Sequence, residues 1–314
     1  MLFRSDWTNG AWVQRGDALT PADGAALDTF GWSVWLSADG NTAIVGGPGD
    51  EVEGNAQQGS ARVFMWDGTA WVEGGPPASS ADTIIGTPNA DTLDGGAGAD
   101  LMIGRAGNDV YIVDDAGDVV REVAGGGTDV VRSSVDHALR REVEHLVLTG
   151  SGAINGTGNA LANVITGNDG ANRLEGGTGA DTLDGGAGAD TLTGGHGQDL
   201  LMGGLGADVF IFGSLSDSGT TIETADEILD LVDSDFEEDR IDLSALDANQ
   251  VALGNQDFVF IGAAAFSAAG QLRYEYDYVL DFGMLYASTD ADSDAEFALK
   301  LLGVSSLTQQ DLVL

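Results

Sequence analysis

The stretch GGTGADTLDGGAGADTLTGGHGQDLLMGGLGAD occupies Gly176 to Asp208, and its glycines and aspartates return in strict register. Aspartate recurs every ninth residue, at Asp181, Asp190, Asp199 and Asp208. The template is G-G-x-G-x-D-x-U-x, with U large and apolar. Glycine loses more backbone freedom on folding than any other residue, so its periodic retention needs a structural reason. A flexible linker would not keep aliphatics and aspartates in phase. A dinucleotide-binding glycine fingerprint would occur once, between a strand and a helix, rather than in series.

The same template extends outward from this core. One block reads GTPNADTLD, GGAGADLMI, GRAGNDVYI from Gly86 to Ile112, preceded by a weaker unit ending at Asp82. The other begins with GNALANVIT and GNDGANRLE at Gly158 and runs through the clean units to Ile211. Each x-U-x portion is the length of a three-residue strand. Its U residue (Leu93, Met102, Tyr111, Leu183, Leu192, Leu201, Phe210) is expected to point inward. The other six residues suit a tight turn, where glycines reach positive φ and let neighbouring backbones approach. Two units then make one coil of a parallel β-roll, with coils stacked about 4.8 Å apart and turns in two columns.

Stacking places aspartates above one another, which by itself is repulsive. It also brings glycine carbonyls to the same gap. An all-oxygen, flexible donor set suits a hard cation and favours Ca²⁺ over Mg²⁺. The expected ligands are Asp91, Gly96, Gly98, Asp100, Gly107, Asp109, Asn172, Gly177, Gly179, Asp181, Gly186, Gly188, Asp190, Gly195, Gly197, Asp199, Gly204, Gly206 and Asp208, with Asp82 a weaker candidate. Each ion needs two stacked turns to collect about six oxygens, so roughly five Ca²⁺ ions are expected. In the weaker units Asn163 and Asn172 stand in for aspartate, and a cation-free solenoid is an alternative there.

Charge supports a cation-dependent fold. The chain of 314 residues carries 51 acidic against 12 basic residues, a formal net charge of −39. Such a surface disfavours nucleic acid and anionic membranes as partners. With 43% hydrophobic residues the chain is too apolar for wholesale disorder. It contains no cysteine, which excludes disulfides and thiolate metal sites. No apolar run reaches the roughly 18 residues of a membrane span, and no N-terminal signal peptide is visible.

Composition divides the chain further. All six tryptophans lie within residues 1–75, and GGPPASS, Gly74 to Ser80, reads as a linker. WTNGAWVQRG at Trp7 and WDGTAWVEGG at Trp66 match at Trp, Ala, Trp, Val and the final Gly. Between them lie alternating apolar runs bounded by turn residues, which predict a small antiparallel sheet of about four strands. The expected fold is therefore all-β. A propeller-blade-like sheet over 1–75, read as the remnant of a truncated propeller, precedes a linker at 76–80. A β-roll follows over 81–212, with nonapeptide blocks at 82–112 and 158–211 and a less regular solenoid between. A β-rich C-terminal capping domain covers 213–314.

Three resemblances attach to these residues. The nonapeptide array resembles the RTX (repeats-in-toxin) calcium-binding proteins of Gram-negative bacteria. The pair Phe30–Gly31 and the run Gly46 to Pro48 resemble FG-GAP repeats of integrin-like propellers. The segments DVFIFGSLSDSG, DRIDLSALDAN, FVFIGAAAFSAAGQLRY and DADSDAEFALKLLGVSSLTQQDLVL resemble the C-terminal domain of serralysin-type secreted proteins. The terminal Asp311, Leu312, Val313 and Leu314 resemble that family's secretion signal. These resemblances imply a secreted, extracellular protein, exported through a type I secretion channel and offering the blade to an extracellular ligand.

Catalytic motifs do not emerge. H-E-x-x-H is missing, and the three histidines, His137, His145 and His196, do not form a zinc triad. Neither a G-x-S-x-G elbow nor a thiol nucleophile occurs. The chain reads as non-catalytic, with the tail of a secreted hydrolase whose catalytic domain lies elsewhere as the alternative. Asp290, Asp292 and Asp294 begin like an EF-hand loop but lack its sixth-position glycine and distal glutamate, leaving them secondary metal candidates.

Overall fold

The computed structural model describes residues 2–8, 11–19, 33–36, 42–47, 60–66, 71–73, 81–231, 238–249, 252–290, 292 and 294–314. Phe30, Gly31, Pro48 and the 76–80 linker lie outside the described residues. The chain forms two compact units, 1–135 and 136–314.

In the first unit, Leu2–Thr8 and Ala11–Leu19 pair as an antiparallel hairpin. A four-stranded antiparallel meander follows, with Ser33–Leu36, Thr42–Gly47, Ser60–Trp66 and Trp71–Glu73 in sequence order. The repeated Trp…Trp signature has a shared meaning in both places. Trp7 opposes Trp12 across one hairpin, and Trp66 opposes Trp71 across the other.

From Thr83 the chain coils. Thr83–Ile85, Leu101–Ile103 and Val119–Arg121 stack as one parallel ladder. Thr92–Asp94, Val110–Val113 and Val130–Ser133 stack as the other. Such short strands form because each presents one large apolar side chain between two half-exposed neighbours. The ladders align those side chains: Ile84, Met102 and Val120 lie in one column, and Leu93, Tyr111 and Val131 in the other. All six are buried.

The second unit repeats the plan at greater length. One parallel ladder runs through His145–Leu148, Val164–Thr166, Thr182–Asp184, Leu200–Met202, Asp226–Ile228 and Phe297–Leu302. The other runs through His137–Ala138, Gly156–Thr157, Arg173–Thr178, Thr191–His196, Val209–Ile211, Arg240–Asp242 and Leu312–Val313. Stacking thus continues past Phe212 to the last residues of the chain. Antiparallel strands Gln271–Asp277 and Phe282–Ser288 extend the first ladder beyond Phe297–Leu302. Phe212 meets Phe297 edge-on, with ring centroids 5.4 Å apart. The fold is an all-β parallel β-roll with a β-rich C-terminal cap.

Candidate metal centre

The turns between strands build the site. In the clean units, the glycines at the second and fourth positions have positive φ, as at Gly177 (107°) and Gly179 (128°). A side chain there meets the coil before it: a Cβ on Gly177 would lie 2.6 Å from the Asn159 carbonyl oxygen, and one on Gly179 would overlap that of Leu161. Only glycine combines that backbone conformation with so close a stacking distance. Likewise Gly195 and Gly204 sit over the carbonyls of Gly177 and Gly186, and Gly197 and Gly206 over those of Gly179 and Gly188. Gly96, Gly98 and Gly107 adopt the same positive φ in the first unit. Turn carbonyls thus form columns along the roll.

Beside these columns run the aspartates, linked in four ladders. In the second unit, the backbone N–H of Asn163 donates to Asp181 Oδ1, that of Asp181 to Asp199, and that of Asp199 to Asp226, at 2.7–2.9 Å. The other edge runs Asn172, Asp190, Asp208, Asp239 in the same way, at 2.7–2.9 Å. In the first unit the chains are Asp82, Asp100, Asp118 and Asp91, Asp109, Asp129. One carboxylate oxygen of each rung thereby faces the coil below it in sequence and is satisfied.

The second oxygen differs between rungs: that of Asp118 accepts from the Asp114 and Asp115 N–H groups and that of Asp91 from Thr87 N–H, whereas in six other rungs it is left over. Oδ2 of Asp100, Asp109, Asp181, Asp190, Asp199 and Asp226 is buried with no hydrogen-bond partner. A buried polar group in that state is costly, and a buried anion more so. The opening that these oxygens face is defined by the first glycine of each unit. A Cβ on Gly176 would lie 2.5 Å from both Asp181 Oδ2 and the carbonyl oxygen of Gly194. Gly185 faces Asp190 Oδ2 and the Gly203 carbonyl in the same way. A carboxylate and a carbonyl of the following coil converge there, repeated along the roll, and this donor set fits a hard divalent cation.

Burial shapes the electrostatics. Desolvation pushes the Asp190 and Asp199 carboxyls up to about 7 and that of Asp226 up to about 8, and neighbouring carboxylates push the same way. Asp100 rises to about 6 and Asp109 to about 7 for the same reasons. Each Oδ1 hydrogen bond to a backbone N–H offsets part of the rise. The neighbours that act on these five carboxyls are backbone N–H groups and other carboxylates.

The asparagine units differ. Asn172 accepts from the Asn168 N–H at 2.8 Å, and its Nδ2 donates to the Ile154 carbonyl at 2.6 Å and to Asn168 Oδ1 at 3.0 Å. Asn163 accepts from Asn159 and donates to the Val143 and Glu144 carbonyls. Their side chains bring donors where aspartate brings none.

Of the C-terminal candidates, oxygens of Asp290, Asp292 and Glu296 gather within 4.8 Å of one another, and Asp294 is outside that group. Asp292 is exposed and Glu296 already accepts from the Thr289 N–H at 2.6 Å. Asp311 accepts from the Thr308 N–H and hydroxyl, at 2.6 and 2.9 Å, closing a capping box. Leu312 and Val313 then pair with Ile241 and Asp242. Leu314 follows, half-buried.

Asp118, Asp129, Asp226 and Asp239 also belong to the ladders; Asp118 keeps the register, 18 residues after Asp100, while the other three fall outside it. Spacings of 20, 27 and 31 residues along the ladders hide them. The surviving signal is local: each is an Asp followed two residues later by Val or Ile, in DVV, DVV, DEI and DRI.

A parallel roll with buried carboxylate ladders defines an RTX-type β-roll. Residues 83–314 match the family model described as Peptidase M10 serralysin C terminal, and the chain belongs to that family. Residues 12–64 match the FG-GAP repeat. Among solved structures, the chain is similar to the AlgE6R3 subunit of the Azotobacter vinelandii mannuronan C5-epimerase. Identity is 32%, over 52% of this chain and 80% of that one, with a TM-score of 0.36. The AlgE6R2 subunit of the same enzyme is 31% identical over 52% of this chain and 93% of that one, with a TM-score of 0.37. None of the curated proteins matches the chain. Serralysin C-terminal and β-roll repeat domains are non-catalytic parts of the proteins that carry them. Among the described residues, no helix is long and apolar enough to cross a membrane.

Proposed function

We propose that this chain is a calcium-folded region of a secreted protein. The observation that carries the reading is the row of buried Oδ2 atoms without partners on Asp181, Asp190, Asp199 and Asp226. Calcium bound between stacked turns would supply the missing positive charge, and binding energy of this kind is folding energy. The residues do the rest. Glycines at positive φ allow the turns to close, Oδ1 atoms set the spacing between rungs, and apolar U residues seal the interior.

Extracellular calcium modules work at about 10⁻⁴–10⁻³ M, far above cytosolic levels. At low calcium the chain, at −39, repels itself and stays open enough to pass a type I secretion channel; outside, the ladders close. Membership of the serralysin C-terminal family supports this reading of export. The FG-GAP match over 12–64 supports an adhesive, ligand-facing role for the N-terminal sheet. The family's peptidase origin favours a second reading, in which the region is the tail of a secreted hydrolase.

Circular dichroism across a calcium titration tests the first reading. β-structure should appear cooperatively in the millimolar range and vanish with chelator. A spectrum indifferent to chelator sinks it.

A further inference from the structure

One turn of the first unit departs from the repeating pattern. Where Gly86 and Gly104 open successive turns on one edge, the next turn, 122–129, opens with Glu122. At the U position facing it stands Tyr111, where the clean units carry leucine or phenylalanine. The Tyr111 hydroxyl donates to Glu122 Oε1. Glu122 Oε2 accepts from the Val123 N–H at 3.1 Å, which holds the carboxylate against the turn.

Three carboxylates converge there. Oxygens of Asp109, Glu122 and Asp129 lie within 4.8 Å of one another. A Cβ on Gly104 would overlap Tyr111 Oη, Glu122 Oε1 and Asp109 Oδ2 together, so the missing side chain leaves a cradle lined by three different residues. At Gly176 the corresponding opening meets one aspartate and a glycine carbonyl. An independent sign of a ligand is Asp109 itself. It is fully buried, and its Oδ2 points into this cradle without a hydrogen-bond partner. Its neighbours Glu122, Asp91 and Asp129 are all acidic and raise its proton affinity further.

We propose that Asp109, Glu122 and Asp129 form a divalent-cation site of a second kind, with Glu122 as the added ligand and the Tyr111 phenol as the group that orients it. The proposal rests on the calcium reading of the roll and adds a site that the glycine–aspartate repeat does not encode. Affinity for Ca²⁺ rises with the number of charged ligands. Three carboxylates in place of the usual pairing therefore make this the first site to fill as calcium rises, ahead of the Asp181–Asp226 ladder. Tyr111 acts as an outer partner of Glu122, and loss of such partners weakens metal binding by about 10–100-fold.

Calcium titration calorimetry on the full chain tests this, comparing wild type with Glu122→Gln, Tyr111→Phe and Asp190→Asn. In wild type one ion should bind ahead of the others. E122Q should abolish that early phase while the remaining ions and the saturated circular dichroism spectrum persist. Y111F should keep the ion count but weaken the early phase about tenfold or more. Replacing calcium with Tb³⁺ adds a readout, because tyrosine-excited luminescence at the early phase should drop in Y111F. If E122Q binds as many ions with unchanged affinities, or is merely more stable in chelator, the cluster is structural and the proposal fails. Loss of binding in D190N with E122Q unchanged overturns only the second site. No loss in either variant, with β-structure indifferent to calcium, overturns the ladder reading as well.

Discussion

Two adjoining stretches of the roll stack in the same way and satisfy their polar groups by opposite means. In the asparagine units, Asn163 Nδ2 donates to the Val143 and Glu144 carbonyls at 3.1 Å each, and Asn172 Nδ2 to the Ile154 carbonyl at 2.6 Å and to Asn168 Oδ1 at 3.0 Å. In the glycine–aspartate units that follow, the equivalent carboxylates of Asp181, Asp190 and Asp199 each end in a buried oxygen without a hydrogen-bond partner. An amide brings its own hydrogens, whereas a carboxylate brings only acceptors and needs charge from outside. On the proposed calcium reading, the difference separates a part of the roll that closes by itself from a part that waits for an ion.

Chelation should produce the largest effect and divide the two stretches. Under hydrogen exchange, amides around Asp181 to Asp208 should lose protection by on the order of 100-fold when calcium falls from about 100 times the dissociation constant to none. Amides around Asn159 to Asn172 should keep most of theirs. Equal loss in both stretches would erase the distinction.

Exchanging the two side chains sharpens it. Asn163→Asp removes the donors to the Val143 and Glu144 carbonyls, and should destabilise the calcium-free form by about 1–3 kcal/mol. Asp199→Asn should leave the calcium-free form no less stable but shift the calcium midpoint upward. Urea unfolding with and without calcium reads both. A calcium-insensitive D199N–wild-type difference contradicts the assignment.

Acidity offers a subtler probe. Burial raises Asp190 and Asp199 to about 7 and Asp226 to about 8 in the folded chain, from an unfolded value of about 3.9. Folding therefore favours the protonated forms: this contribution is complete below the unfolded value and is lost as pH rises through 7 to 8. In chelator, stability should rise as pH falls from 8 to 5. In saturating calcium the slope should reverse, because protons then compete with the ion for the same oxygens. Thermal melts in both buffers decide; parallel slopes refute the competition.

The smallest effect belongs to the cap, where no ion is invoked. Thr308→Ala opens the capping box with Asp311 and should cost about 1 kcal/mol, fraying Leu312–Val313 from Ile241–Asp242. Exchange of the Leu312 amide should quicken equally with and without calcium.

Much of this was legible in the residues. The nine-residue period announced short strands with one buried apolar position, and Leu183, Leu192, Leu201 and Phe210 occupy it. The matching Trp7/Trp12 and Trp66/Trp71 segments were legible as a repeat, but only the structure shows that each pair faces across a hairpin. Asp226 and Asp239 were not legible as rungs, because insertions of irregular length precede them and periodicity is blind to chain that loops out and returns. Glu122 was equally hidden, since only stacking shows that it takes the place of a turn glycine.

The sequence by itself determined the unit: a turn that glycine makes most readily, an inward apolar side chain, and a carboxylate at fixed phase, because these follow from local backbone geometry. The tertiary structure alone decided which carboxylates meet. It joined Asp199 to Asp226 and Asp208 to Asp239, set Tyr111 against Glu122, and seated the final strand beside Ile241. Those neighbours come from the stacking of coils about 4.8 Å apart, a spacing that backbone hydrogen bonds impose however many residues lie between.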